Sequence, residues 1–107
     1  MSQPPSADYH DYVIKDGRLI ARFDEMYAFS EDVPWHQDEQ ERWTDVRLTM
    51  DLLGEVAPFE HIGDIGCGLG FFLDTLCRSV GASDVAGSCF DVAEHACRRA
   101  RRLFPPY

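Results

Sequence analysis

A chain of 107 residues, 45% hydrophobic and 27% charged, has the composition of one small folding domain and not of a disordered segment. Its net charge of −9 sits at the front: residues 1–60 hold 14 acids against 5 bases, and residues 61–107 hold 5 of each. That balance disfavours nucleic acid and anionic membrane as partners, and no run of about 18 apolar residues offers a membrane span.

The opening MSQPPSADYHD lacks the charged and apolar regions of a signal peptide and reads as a loose polar tail. In YVIKDGRLIARF (12–23), Asp16-Gly17 between two β-rich runs predicts a hairpin, because a type I′ turn needs positive φ at both central residues. Residues 24–37 carry Pro34 and mixed aromatics, which predicts a short helix or ordered loop. From Asp38 to about Val56, Trp43, Val46, Met50 and Leu53 recur at helical spacing. Asp38, Glu39 and Glu41 sit near that start, where negative charge meets the positive helix end, and Pro58 closes the element.

The period then changes. A short strand is expected around His61–Ile65, then a helix over 70–80 with Leu73, Leu76 and Val80 inward and Gly81 just past its end. A second strand follows over about Val85–Phe90. Asp91 and Glu94 have capping-box spacing and are expected to start a last helix, with Val92, Ala96, Ala100 and Leu103 or Phe104 facing inward. Strand, glycine loop, helix, strand, helix is the opening of a Rossmann-like α/β sheet with parallel strands.

Four cysteines at 67, 77, 89 and 97 form no CxxC pair and read as reduced thiols of a cytoplasmic protein. Together with His95 they do not supply two close ligand pairs for zinc, so no metal is expected.

The segment IGDIGCGLGFFL (62–73) concentrates the chemistry. A P-loop needs GxxxxGK[ST], and no lysine follows Lys15. A dinucleotide fingerprint needs a glycine five residues after Gly66, where Phe71 stands. What remains is Asp64-Ile-Gly66-Cys67-Gly68-Leu-Gly70, a bare backbone that a ligand can approach closely, with the amides of a following helix start suited to a carboxylate. Structural readings stand beside these. Asp91 with Glu94 can serve as a helix cap, Cys67 as a small loop residue, and His95 as a surface histidine. Arg98, Arg99, Arg101 and Arg102 fit a solvated face near a helix C-terminus.

This pattern resembles motif I of the class I S-adenosylmethionine-dependent methyltransferases, an acid followed by G-x-G-x-G at a strand-to-helix turn. The resemblance implies that Gly66, Cys67, Gly68 and Gly70 form the cofactor loop. It implies that Asp64 holds that loop and helps position the methionine amino group, directly or through water. VAGSCFDVAEHACRRARRLFP resembles the family's second strand and helix, where an acid accepts both ribose hydroxyls; that acid maps to Asp91. MYAFSEDVPWHQ (26–37) looks like the lead-in of some small-molecule methyltransferases, including nodulation-type N-methyltransferases, with Val33 as a departure. Carried over, Tyr27, Trp35 and His36 line the pocket or its lid.

The resemblance covers residues 24–107 and the first half of the family's fold, since two core strands are present of about seven. Residues 1–37 are thus expected to form a tail, hairpin and lid-like segment, and 38–107 the N-terminal half of a truncated methyltransferase-like domain. The expected function is methyl transfer to a small-molecule acceptor by the parent protein, with S-adenosylmethionine as cofactor. This piece is expected to have little or no activity alone, with no catalytic residue assigned and self-association through an unpaired sheet edge. The alternatives are a non-catalytic module that binds an adenosyl ligand or a partner chain, and a NAD-dependent oxidoreductase.

Overall fold

The computed structural model describes residues 5–107. It is an α/β structure, and the first four residues of the expected tail lie outside it.

A 3-10 turn at Tyr9–Tyr12 comes first, capped by Asp8, whose carboxylate accepts the His10 N–H. Tyr9 and Tyr12 are buried and share a core with Met26, Tyr27, Leu69, Ala93 and Ala96. The expected loose tail is therefore tied down from residue 9 onward. The reason is aromatic burial, which outweighs the polar composition around it.

Strands β1 (Ile14–Lys15) and β2 (Arg18–Leu19) form the expected hairpin, with Ile14 opposite Leu19. Asp16 and Gly17 take φ of 50° and 74°, the two positive values the turn needs. Helix α1 (Phe23–Phe29) follows.

The helix expected from Asp38 does not form as one element. A kinked 3-10 segment occupies Pro34–Arg42, Trp43 is extended, and α2 runs only over Thr44–Gly54. The run HQDEQER (36–42) offers no apolar stripe to bury, so tertiary packing does not favour a regular helix there. Of the expected stripe, Val46 is buried, Met50 and Leu53 are half-buried, and Trp43 is exposed.

Strand β3 (Phe59–Ile65), helix α3 (Phe71–Val80), strand β4 (Gly81–Phe90) and helix α4 (Glu94–Leu103) complete the chain. The strands are parallel, registered from His61↔Ala86 to Ile65↔Phe90, with an irregularity between Phe59 and His61. Gly81 is not a left-handed helix terminator, as it is extended and opens β4. Packing selects its small size, because a Cβ there would lie 2.5 Å from the Cys77 carbonyl and 2.9 Å from Val85. The capping box also fails to form. α4 begins at Glu94, and Asp91 instead accepts the Ala93 N–H in a turn before the helix. Ala96 and Ala100 are buried as expected, but Val92 lies ahead of the helix and is 98% exposed. Phe104, not Leu103, packs inward, edge-on to Phe71.

The two sides of this sheet differ. Ile62, Asp64, Val85, Gly87 and Cys89 are half-buried, and Tyr107 reaches so close that a Cβ on Gly87 would meet it at 2.7 Å. His61, Gly63, Ile65, Ala86, Ser88 and Phe90 on the other side are all exposed, Ile65 to 90%. With extents of 55 × 27 × 18 Å the molecule is a thin slab, about one sheet and one helix layer deep. Among the described residues no helix is long and apolar enough to cross a membrane.

Candidate functional site

The site sits where the carboxyl ends of β3 and β4 meet the glycine loop, the position at which open α/β sheets hold ligands. Gly66 leaves β3 with φ +81°, a value that strains any residue with a Cβ. The N–H groups of Gly66 and Cys67 both donate to the Phe90 carbonyl, at 2.7 and 3.1 Å. The Gly68 N–H donates to Asp91 Oδ2 at 2.9 Å. Leu69 N–H donates to Gln37 Oε1 at 3.1 Å, and Gly70 N–H to the Cys67 carbonyl at 3.0 Å. Every amide from 66 to 70 is engaged within the chain, so the loop has no free nest of donors for a phosphate. The donors left over are those of the first turn of α3, which helix geometry leaves without intrahelical partners.

The loop glycines answer different demands. A Cβ at Gly66 would meet nothing within 4 Å, so open space faces it. A Cβ at Gly68 would lie 2.5 Å from Gln37 Oε1 and 2.8 Å from the Tyr27 hydroxyl, so side chains of this protein fill that space. Gly70 is where Phe104, Cys89 and Ala100 close on the loop.

The two acids are deployed differently. Asp91 is bound on both oxygens, Oδ2 by Gly68 and Oδ1 by Ala93 at 2.8 Å. Asp91 is thus structural, but as a tie between the glycine loop and the turn ahead of α4 and not as the helix cap read from the sequence, and each oxygen keeps a further lone pair. Asp64 does not hold the loop; Asp91 and Gln37 do. The Asp64 carboxylate is half-buried and, among the described residues, has no hydrogen-bond partner. Burial, and secondarily the charge of Asp91, push its carboxyl above the usual range.

Two cavities flank the loop and share Tyr27, Trp35 and Gly66. The larger, about 680 Å³, adds Ile65, Phe90, Asp91, Val92 and Cys97. The smaller, about 310 Å³, adds Asp64, Cys67, Gln40, Trp43 and Phe72. Trp35 stands at φ +52°, 42% exposed, its ring 5.6 Å from that of Tyr9 and 6.0 Å from that of Phe23. Tyr27 is buried, its hydroxyl accepting Gln37 Nε2 at 3.0 Å, and burial pushes its phenol up. Cys67 is buried, and its thiol is also pushed up, chiefly by burial, which keeps it protonated and unreactive. His36 is exposed and lines neither cavity.

Helix α4 is fastened to α1 by side chains read as surface groups. Asp24 accepts the His95 N–H at 2.8 Å and meets its ring Nδ1 at 2.9 Å, which caps the helix from outside. Arg99 leaves the solvated face to donate to the Tyr27 carbonyl at 3.1 Å and Ser30 Oγ at 3.4 Å. All four cysteines are free thiols. Among the described residues no group of three His, Cys, Asp or Glu is placed to hold a metal.

Gln37, Gln40, Trp43 and Phe72 were not marked as site residues by the sequence. Gln37 lies in a polar run without periodicity, and no spacing rule connects it to a loop 32 residues away. No family model, curated protein or solved structure matches the chain.

Proposed function

We propose that this chain carries the cofactor-binding half of an S-adenosylmethionine-dependent methyltransferase acting on a small molecule, with a Rossmann-like sheet and a cytoplasmic setting. One observation carries this: two carboxylates, Asp64 and Asp91, flank a glycine loop that offers no donors to phosphate.

The residues fit the group. The larger cavity has apolar walls at Phe90 and Val92 for a purine. Asp91 keeps acceptor capacity for a ribose diol while its occupied lone pairs hold it still. The first-turn amides of α3 suit a carboxylate, and the idle Asp64 suits the amino group beside it. S-adenosylmethionine, when bound, supplies a methyl group on a sulfonium, ready for in-line transfer. The chain's own residues then bind and orient, the contribution that dominates when reacting groups must be aligned. Tyr27 and Trp35, at the wall common to both cavities, help exclude water there.

Titration calorimetry with S-adenosylhomocysteine and with NAD tests the reading. Binding of the first alone is expected; binding of NAD alone would overturn it in favour of the oxidoreductase. A second reading, a non-catalytic module completed by a partner or a second copy at its unpaired sheet edge, draws support from the bare face with Ile65, Phe90 and Val92. Concentration-dependent association with no methyl transfer by the isolated chain would favour it.

A further inference from the structure

Methyl transfer makes no use of the four thiols, yet the fold brings two of them together. Asp64 and Cys89 are register partners on β3 and β4. The left-handed turn at Gly66 then carries the chain across the end of β4. There the Cys67 N–H donates at 3.1 Å to the carbonyl of Phe90, the residue after Cys89. The thiols of Cys67 and Cys89 are hydrogen-bonded to each other. Cys89 Sγ also lies against Gly70, where a Cβ would meet it at 3.4 Å, so both sulfurs are held to the glycine loop. The other two thiols are engaged elsewhere. Cys97 Sγ donates to the Asp91 carbonyl at 3.6 Å, and Cys77 is buried beside Gly87 and Tyr107. Access differs within the pair: Cys67 is 5% exposed, whereas Cys89 is half-buried and borders the larger cavity.

We propose that Cys67 and Cys89 are a modification site, a reversible dithiol–disulfide pair that ties the glycine loop to β4 when hydrogen peroxide oxidises it. The Cys89 sulfur attacks one peroxide oxygen, the O–O bond breaks, and Cys89 becomes a sulfenic acid as water leaves. The Cys67 sulfur then attacks the Cys89 sulfur; the S–O bond breaks, the S–S bond forms, and a second water carries off the hydroxyl and the Cys67 proton. Two electrons pass from the thiols to the peroxide, and a dithiol reductant returns them. Burial pushes both thiols up, so Cys67 is inert to an oxidant by itself and acts second. Proximity drives that second step, because contact between the sulfurs makes it intramolecular. The bond joins a wall residue of the smaller cavity to one of the larger, so oxidation fixes the loop between them.

The test treats the full chain with hydrogen peroxide and maps its disulfides by mass spectrometry of unreduced peptides. In the folded chain the link from Cys67 to Cys89 is expected to exceed every other pairing by about tenfold or more, and dithiothreitol is expected to remove it. The same oxidation in concentrated urea sets the reference. Cys89 and Cys97 are closest in sequence, so chain entropy favours that pair once the fold is lost. A folded chain that links Cys89 to Cys97, pairs its thiols evenly, or forms only sulfinic acids or links between molecules would overturn the proposal. This mapping uses the unaltered chain and holds even if a variant misfolds. Cys67→Ser, checked by circular dichroism, is expected to leave Cys89 as a sulfenic acid that dimedone traps, while Cys97→Ser forms the link unchanged. Dimedone capture on Cys67 in the unaltered chain, with none on Cys89 in Cys67→Ser, would overturn the assigned order of attack. The oxidised chain is expected to melt about 4 °C or more above the reduced one. A lower Tm would show that the sulfurs meet only by distorting the loop, and would sink a pair built into the fold.

Discussion

The parallel strands β3 and β4 deliver one aspartate each to the same end of the sheet, and the two are used in opposite ways. Asp91, just past β4, has both oxygens committed to backbone amides of Gly68 and Ala93. Asp64, within β3 and opposite Cys89, engages nothing among the described residues and faces an aromatic cavity. The β4 end builds the loop, and the β3 end is left with unspent charge. A structural acid lowers the energy of the empty protein. An idle half-buried acid does not, and it is this acid that the proposed function gives to a ligand.

Five substitutions break or sharpen this contrast. The largest effect is expected at Gly68→Ala, where a Cβ would displace Gln37 and Tyr27 and hold φ at +56°, a loss of about 3 kcal/mol. Gly66→Ala meets only backbone strain in open space and is expected to cost about 1 kcal/mol. Chemical denaturation measures both, and equal losses would erase the distinction between a loop packed by the protein and one open to a ligand.

Next is Asp91→Ala, which orphans the Gly68 and Ala93 amides and is expected to cost about 2 kcal/mol. A neutral result would mean that solvent replaces the carboxylate and that Asp91 is free for a ligand alone. Gln37→Leu removes the acceptor for Leu69 and the donor to Tyr27, with about 1 kcal/mol expected in the same assay.

The smallest effect has the opposite sign. Burial raises the Asp64 carboxyl in the folded state, so folding favours its protonated form. The stability this gives is fully present below the ordinary carboxylate value and is lost as pH rises through the raised folded value. Asp64→Asn is therefore expected to raise Tm by about 1–3 °C at neutral pH and to change little in acid. A lower Tm at neutral pH would show that Asp64 has a structural partner and would undercut its role as a binding group.

Local chemistry was legible in the sequence where a residue's neighbours decide its conformation. Asp16-Gly17 gave the hairpin, the apolar period gave α3, and the strand-loop-helix order gave the parallel pair. Legibility failed where distant partners decide. Tyr9 and Tyr12 lie in a polar stretch, yet they are buried against Met26 and Leu69. Asp91 and Glu94 have capping spacing, yet Asp24 takes the amide of His95 from another helix. At the site, both carboxylates and the glycines were marked in advance, but their division of labour was not. The loop's other fastening, from Leu69 to Gln37, was not legible either, because nothing in the local sequence of Gln37 distinguishes it from its polar neighbours.

The route by which the glycine loop is fastened has a consequence for how the chain is made. Leu69 draws its acceptor from a residue 32 positions earlier, but Gly68 waits for one 23 positions later. The cap from Asp24 to His95 spans 71 positions. A nascent chain emerging from the ribosome therefore holds its glycine segment without its second fastening until Asp91 has cleared the exit. Loop, α4 and α1 then close together as a late, long-range step.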